Sequence, residues 1–113
     1  DSAYVGTLDG EVLRVRVAPG EVVWRARAAG AVKASLAEAG ANVVVGDYGG
    51  RVTAFAKRNG ARVWQVASPG PRPRGPGRLY GGPAVAHGRV FVGHPTTRGP
   101  GIFVEREQDA VLR

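Results

Sequence analysis

The chain has 113 residues, of which 43% are hydrophobic and 22% are charged, a balance typical of a globular domain and not of a disordered chain. It contains no cysteine and no methionine, which excludes disulfides, thiolate catalysis and cysteine-based zinc sites. The formal net charge of +7 attracts polyanions without specifying one, and no run of about 18 apolar residues predicts a membrane span.

The predicted elements are short strands joined by tight turns, because glycine, proline and valine are all abundant. The first residues lack the basic region and apolar core of a signal peptide, and they are expected to begin within a strand of a longer chain. Val32–Ala39 is rich in helix formers, but it is short and lacks a capping residue, so we reject a helix there. In chain order, strands are expected at residues 3–6, 11–17, 21–27, 31–37, 42–48, 51–57, 61–67, 81–86 and 89–93, with no helix longer than two turns before Glu105.

An internal repeat organises the chain. Residues 4–25 align without a gap on residues 44–65, so that the only two tryptophans, Trp24 and Trp64, fall on each other 40 positions apart. Four short strands at a period near forty residues are typical of a β-propeller blade. The matched pairs that define the repeat are Gly6 and Gly46, Gly20 and Gly60, and Trp24 and Trp64.

Turn residues separate the predicted strands. Asp9-Gly10 and Gly49-Gly50 are expected to form two-residue turns in which both residues take positive φ. Asn59-Gly60 is the strongest hairpin signal in the sequence, and Pro19-Gly20 replaces it in the first copy. Asp47 is a candidate to order its turn by accepting backbone N–H groups.

These motifs resemble the PQQ-like repeats, the propeller family of quinoprotein alcohol dehydrogenases and of the outer-membrane assembly lipoprotein. A typical repeat has an opening S-P-A-V, a G-x-V-Y-V-G strand, a D-G turn and a closing G-x-x-x-W. The resemblance covers most of the chain up to Val104. The matching segments are Gly20–Trp24, Val44–Gly50, Gly60–Trp64, Gly82–Val85 and Gly88–Gly93.

The sequence departs from the family pattern in two places. The family's aspartate four residues before the motif glycine is Arg16 in one copy and Ala56 in the other, so its turn contact is absent. After Gly93 the pattern is lost: His94–Gly101 is expected to be a long Pro/Gly turn, and Glu105–Arg113 a frayed or short helical end.

The resemblance implies an all-β fold of tandem four-stranded antiparallel blades that form part of a propeller. The tryptophans are expected to dock one blade onto the next, with the paired glycines in structural roles. The expected divisions are the end of a first blade at 1–28, a complete blade at 29–68, a Pro/Gly/Arg-rich insertion at 69–78, and the start of a third blade with an irregular tail at 79–113.

No residue is predicted to be catalytic, to bind a cofactor or to hold a metal. His87 and His94 lie in predicted turns without the spacing of a metal site, and no serine lies in a nucleophile motif. Arg72, Arg74 and Arg78 lie on the Pro/Gly-rich segment and are candidates to contact an acidic protein, nucleic acid or another polyanion. We favour the interpretation of this segment as an insertion between blades.

Three functions therefore remain open. The leading hypothesis is a non-catalytic scaffold or binding segment of a PQQ-like propeller, from an exported bacterial protein; the resemblance alone favours a periplasmic or extracellular location. The alternatives are part of a PQQ-dependent dehydrogenase and a basic polyanion-binding module. The expected partners are the remaining blades of the propeller or other copies of the chain, and no cofactor is expected.

Overall fold

The computed structural model describes residues 1–33, 35–67, 82–96 and 99–106. These residues form β-strands and turns and contain no helix, which confirms the all-β class and the rejection of a long helix. The strands are β1 (Ser2–Gly6), β2 (Glu11–Arg16), β3 (Glu21–Arg27), β4 (Ala37–Ala39), β5 (Asn42–Gly46), β6 (Arg51–Ala56), β7 (Arg62–Ala67), β8 (Ala84–Ala86), β9 (Arg89–Thr96) and β10 (Gly99–Arg106).

The strands pair into three antiparallel sheets, each built from neighbours in sequence. The first sheet has the order β1-β2-β3, the second β4-β5-β6-β7, and the third β8-β9-β10. The repeat extends to the irregularities, because the register between β2 and β3 shifts at Arg14/Val15 and the register between β6 and β7 shifts at Ala54/Phe55. A bulge at the same position gives both sheets the same local bend and twist.

The second sheet is buried on both faces, and this explains its continuous apolar strands. Along β5, Val43 and Val45 pack toward the first sheet while Val44 packs toward the third, since side chains alternate across a strand. All three valines are at most 1% exposed. The core of the molecule therefore consists of two apolar layers between three sheets.

The strand predicted at residues 31–37 is wrong, because the second sheet begins with the three-residue strand β4. The segment before β4 runs between the turns at Thr7 and Tyr48, and its backbone groups form hydrogen bonds to these turns. The Val32 N–H donates to the Thr7 carbonyl at 2.9 Å, and the Ala31 carbonyl accepts from the Tyr48 N–H at 3.0 Å. Groups bonded to turns in this way are not available to a sheet ladder.

The third sheet also differs from its prediction. The turn expected at His94–Gly101 is wrong, because β9 continues to Thr96 and β10 returns from Gly99. Pro95 and Pro100 lie opposite each other in this hairpin. A proline has no N–H to donate. Two prolines can therefore face each other in an antiparallel ladder at a residue pair that exchanges no hydrogen bonds. Strand β10 runs to Arg106, which corrects the frayed or helical end expected at Glu105 and Arg106. The rest of that expected end, residues 107–113, lies outside the described residues.

The remaining strands agree more closely with the sequence. Those predicted at 3–6, 11–17, 21–27, 42–48, 51–57 and 61–67 are present with ends that differ by at most two residues. The strand predicted at 81–86 is confined to Ala84–Ala86, after Pro83.

The tight turns are wider than predicted. Only Gly10 and Gly50 take positive φ, at 85° and 77°, whereas Asp9 and Gly49 do not. The Asp47 N–H donates to the Arg51 carbonyl and the Gly50 N–H to the Asp47 carbonyl, both at 3.1 Å. Each turn therefore spans four residues and closes on a left-handed glycine, and Asn59-Gly60 follows the same rule, with positive φ at Gly60 alone.

Among the described residues, no helix is long and apolar enough to cross a membrane.

Candidate functional site

Adjacent sheets pack against each other at two interfaces, which we call the first and second joints. The first joint lies between the first and second sheets, and the second joint between the second and third. The buried residues of the first joint are Val12, Trp24, Val32, Val43, Val45 and Phe55. Those of the second joint are Val44, Val52, Ala54, Trp64, Val90 and Val92.

Trp24 crosses the first joint. It lies on β3, only 9% of its surface is exposed, and its ring packs against the turn of residues 57–60 in the second sheet. Its indole Nε1–H donates to the Lys57 carbonyl at 2.7 Å. Both the apolar body and the polar group of the indole are therefore satisfied by the neighbouring sheet, as a buried tryptophan requires.

Gly60 is the platform on which this indole lies. A methyl group at Gly60 would lie 2.6 Å from Trp24 Cε3, closer than any real contact, and the residue also takes a φ of +75°. The position therefore requires glycine for both its backbone conformation and its lack of a side chain.

Arg14 is bonded to the same turn. Its Nη1 donates to the Lys57 carbonyl at 2.9 Å, and its Nε donates to Ser2 Oγ at 2.8 Å. Arg14 is therefore held by two hydrogen bonds and is not a solvated side chain of the strand surface. The Lys57 carbonyl oxygen thus accepts hydrogen bonds from two side chains of the first sheet, those of Arg14 and Trp24.

Trp64 occupies the second joint. It lies on β7, is 5% exposed, and packs with Val90 and Val92 of β9 in the third sheet. The two tryptophans thus lie on equivalent strands and each contributes to the core between its own sheet and the next one. Their shared role in the packing of blades is a prediction that stability measurements must test.

Asp47 forms hydrogen bonds across the first joint, at the end of the strands opposite to the turn that contacts Trp24. Its carboxylate is fully buried and accepts three backbone N–H groups: Ala29 at 2.9 Å, Gly49 at 2.7 Å and Arg51 at 3.3 Å. The first of these lies in the linker between the first two sheets, whereas the other two lie in the turn of Asp47 itself. A side chain expected to order one turn therefore also fastens the neighbouring linker.

The remaining predicted structural glycines have different surroundings. A methyl at Gly6 would lie 2.3 Å from Val32 Cγ1, so that glycine permits the close passage of the linker. Gly46 is buried and pairs with Val52 across β5 and β6. Gly20 has a φ of +95°, and nothing lies within 4 Å of the position of its missing side chain.

No site is formed by the remaining candidates whose side chains the structure describes. His87 is exposed in the turn before β9, where it takes a φ of 53°. Within the described ranges, no three His, Cys, Asp or Glu side chains could share a metal ion. Arg72, Arg74 and Arg78, predicted as polyanion contacts, lie outside the described residues.

We expect Asp47→Asn to lower the free energy of unfolding by about 2 kcal/mol, because hydrogen bonds to a charged acceptor contribute about 1.5–3 kcal/mol. The amide would keep one acceptor oxygen but turn an N–H₂ donor toward backbone N–H groups. Urea melts would measure the change. Asp9→Asn is the matched control, since Asp9 is an exposed turn residue and should change stability by no more than about 0.5 kcal/mol. An unchanged Asp47→Asn midpoint would show that the carboxylate does not hold the linker.

Comparisons with known proteins agree with this architecture. The profile of a PQQ-type repeat family, described as outer membrane protein assembly factor BamB, matches residues 1–108. No curated protein sequence matches the chain.

Three solved structures share the fold at low sequence identity. A europium-containing methanol dehydrogenase is 15% identical with a TM-score of 0.79, over 96% of this chain and 22% of that one. BamB from Moraxella catarrhalis is 23% identical with a TM-score of 0.71, over 94% of this chain and 34% of that one. The computationally designed Ika8 protein is 16% identical with a TM-score of 0.74, over 94% of this chain and 30% of that one.

The chain thus spans between 22% and 34% of these structures, which are β-propellers. At such identities the likeness shows the fold, whereas the family profile covers nearly the whole sequence. The chain is therefore a partial β-propeller that belongs to the PQQ-like repeat family described as outer membrane protein assembly factor BamB.

Proposed function

We propose that this chain acts as a non-catalytic scaffold or binding segment of a PQQ-like propeller. The observation that carries the proposal is the position of its buried side chains. Both apolar cores lie between adjacent sheets, and each contains one of the two tryptophans. Burial of the tryptophans between adjacent sheets supports a structural role of the chain in the wall of a propeller.

The buried polar groups support the same proposal. The Asp47 carboxylate is occupied by three backbone N–H groups, and Thr53 Oγ1 accepts from Gln65 Nε2 at 3.0 Å within the second sheet. Polar groups that are saturated by backbone and sheet contacts stabilise a scaffold. A catalytic acid or base would instead need access to the proton that it transfers.

A titration with pyrroloquinoline quinone and Ca²⁺, followed by tryptophan fluorescence, tests this proposal. We expect no saturable change in emission and no shift of the urea unfolding midpoint, with a quinone-dependent dehydrogenase as the positive control. Stoichiometric quinone binding would overturn the scaffold proposal in favour of a dehydrogenase segment.

The polyanion alternative requires a separate assay. Salt-dependent retention on heparin would favour it if the double variant Arg72→Ala/Arg74→Ala lost that retention, because phosphate and sulfate contacts by arginine weaken as salt rises. Under the scaffold proposal, the parent and the double variant elute together.

A further inference from the structure

We propose that Asn59 is a site of spontaneous deamidation and that the closed first joint suppresses this reaction. The inference goes beyond the scaffold role and does not depend on it. Its carrying observation lies in the turn that contacts Trp24. There the side-chain amide of Asn59 already accepts a hydrogen bond that favours attack on it, whereas the attacking nitrogen of Gly60 is held in a bond of its own.

Deamidation is an attack of a backbone nitrogen on the preceding asparagine side chain. The Gly60 nitrogen loses its proton and bonds to Asn59 Cγ, and the side-chain nitrogen leaves as ammonia, which gives a cyclic succinimide. Water then opens the ring. Opening at the side-chain carbonyl gives aspartate, and opening at the main-chain carbonyl gives isoaspartate, in which the chain runs through Cγ. The sum consumes one water and releases one ammonia, without an oxidant or a cofactor.

The sequence and the exposure of the side chain both select Asn59. The chain has two asparagines, and only Asn59 precedes a glycine, which has no side chain to hinder the attack of its nitrogen. Asn42 precedes Val43, which is β-branched, 0% exposed and paired with Phe55 in the ladder. Asn59 is exposed, so water reaches its side chain. Asn42 is therefore an internal reference for the reaction.

The electrophilic group is polarised by the turn. The Ala61 N–H donates to Asn59 Oδ1 at 3.0 Å. Negative charge develops on this oxygen when Cγ becomes tetrahedral, and an N–H donor at such a distance stabilises it. The turn thus already contains the donor that the intermediate of deamidation needs.

The nucleophile, in contrast, is restrained. The Gly60 N–H donates to the Ala56 carbonyl at 2.8 Å, and loss of its proton would break this bond. Trp24 restrains the turn further, because its ring lies on Gly60 and its Nε1–H donates to the Lys57 carbonyl at 2.7 Å. Local opening of the first joint would release both restraints. The reaction is therefore expected in molecules whose first joint has opened.

The isoaspartate product would make that opening permanent. Its backbone has one more atom between residues 59 and 60, which displaces Gly60 from the ring of Trp24 and its N–H from the Ala56 carbonyl. The reaction also adds a carboxylate next to Arg58 and lowers the formal net charge of +7 by one.

The rate of deamidation tests the inference. The intact chain and a peptide of residues 55–64 are incubated in the same mildly alkaline buffer, and aspartate and isoaspartate are quantified by peptide mapping. Asn59 should react about 30-fold more slowly in the intact chain than in the peptide, because the Gly60 N–H and Trp24 Nε1–H bonds must break first. Asn42 should remain unmodified. Equal rates at Asn59 would overturn the suppression by the first joint.

Matched substitutions in the two joints separate local opening from global unfolding. Trp24→Phe keeps a ring over Gly60 but removes the indole N–H, so it should accelerate the reaction about fivefold. Trp64→Phe makes the same change in the second joint and should leave the rate at Asn59 unchanged. Equal acceleration by both variants would overturn the role of the first joint, since global unfolding would then expose the turn.

The isoaspartate form itself tests the lasting effect. It is separated by ion exchange and compared with Asn59→Asp, which carries the same charge on a normal backbone. Exchange of the Trp24 Nε1–H should be about tenfold faster in the isoaspartate form than in Asn59→Asp, because only the former has a lengthened turn. Equal exchange in the two proteins would contradict a permanent opening, whereas the quinone titration and the heparin assay would stand unaffected.

Discussion

Trp64→Ala is expected to lower the free energy of unfolding by about 3–5 kcal/mol, the cost of removing a large aromatic side chain from a packed core. The indole is 5% exposed and packs among Val44, Val90 and Val92, so its loss would open a cavity between the second and third sheets. A loss of this size is a large share of the roughly 5–15 kcal/mol that stabilises a whole domain. Denaturant melts would measure it.

Two variants control this experiment. Trp64→Phe keeps an aromatic ring in the joint and should cost less than the alanine variant. Trp24→Ala should also cost less, because the first sheet is packed on one face whereas the second is packed on both. A Trp64→Ala protein as stable as the parent would mean that the second joint does not hold the sheets together.

Gly60→Ala is expected to destabilise the protein by about 3 kcal/mol, of which about 1 kcal/mol comes from positive φ and the rest from overpacking. The added methyl would lie 2.6 Å from Trp24 Cε3 and force the indole away from the Lys57 carbonyl. Urea melts would give the size of the effect.

Gly20→Ala is the matched control, because Gly20 also takes positive φ but has nothing within 4 Å of its missing side chain. It should cost about 1 kcal/mol. If both substitutions had the same effect, the penalty at Gly60 would be backbone strain alone, and the indole would not lie on that turn.

The features that the sequence predicted best are those that recur. Two tryptophans at one spacing, with glycine four residues before each, indicated equivalent strands, and the structure shows even the bulges at Arg14/Val15 and Ala54/Phe55 in equivalent places. The double-sided burial of β5 could also be predicted, because three consecutive valines fill both faces of a strand.

The features that were missed depend on contacts between repeats. The segment before β4 forms few ladder hydrogen bonds, because its backbone is hydrogen-bonded to the turns at Thr7 and Tyr48. Local secondary-structure propensity does not predict such contacts. In the same way, the composition at Pro95 and Pro100 indicates a turn, although their direct opposition in a hairpin is compatible with strands. Local sequence patterns therefore predict the strands and turns within a repeat better than they predict the contacts between adjacent sheets.

The polar contacts of the first joint were only partly predictable. Asp47 stands at the end of an apolar strand, which was a sufficient signal for its turn bonds but not for its bond to the Ala29 N–H. Arg14 is one of many arginines in the chain, and nothing in its sequence neighbourhood distinguishes it from the exposed ones. Its partner, the Lys57 carbonyl, lies 43 residues away.

If the indole of one sheet lies on the turn of the next, nuclear Overhauser contacts of Trp24 in the intact chain will reveal it. We expect cross-peaks between the ring protons of Trp24 and the α protons of Gly60, an upfield ring-current shift of those α protons, and slow exchange of the indole Nε1–H. The α protons of Gly20 should show none of these effects and serve as the reference. A rapidly exchanging indole N–H without contacts to Gly60 would show that Trp24 does not lie on the turn of the second sheet.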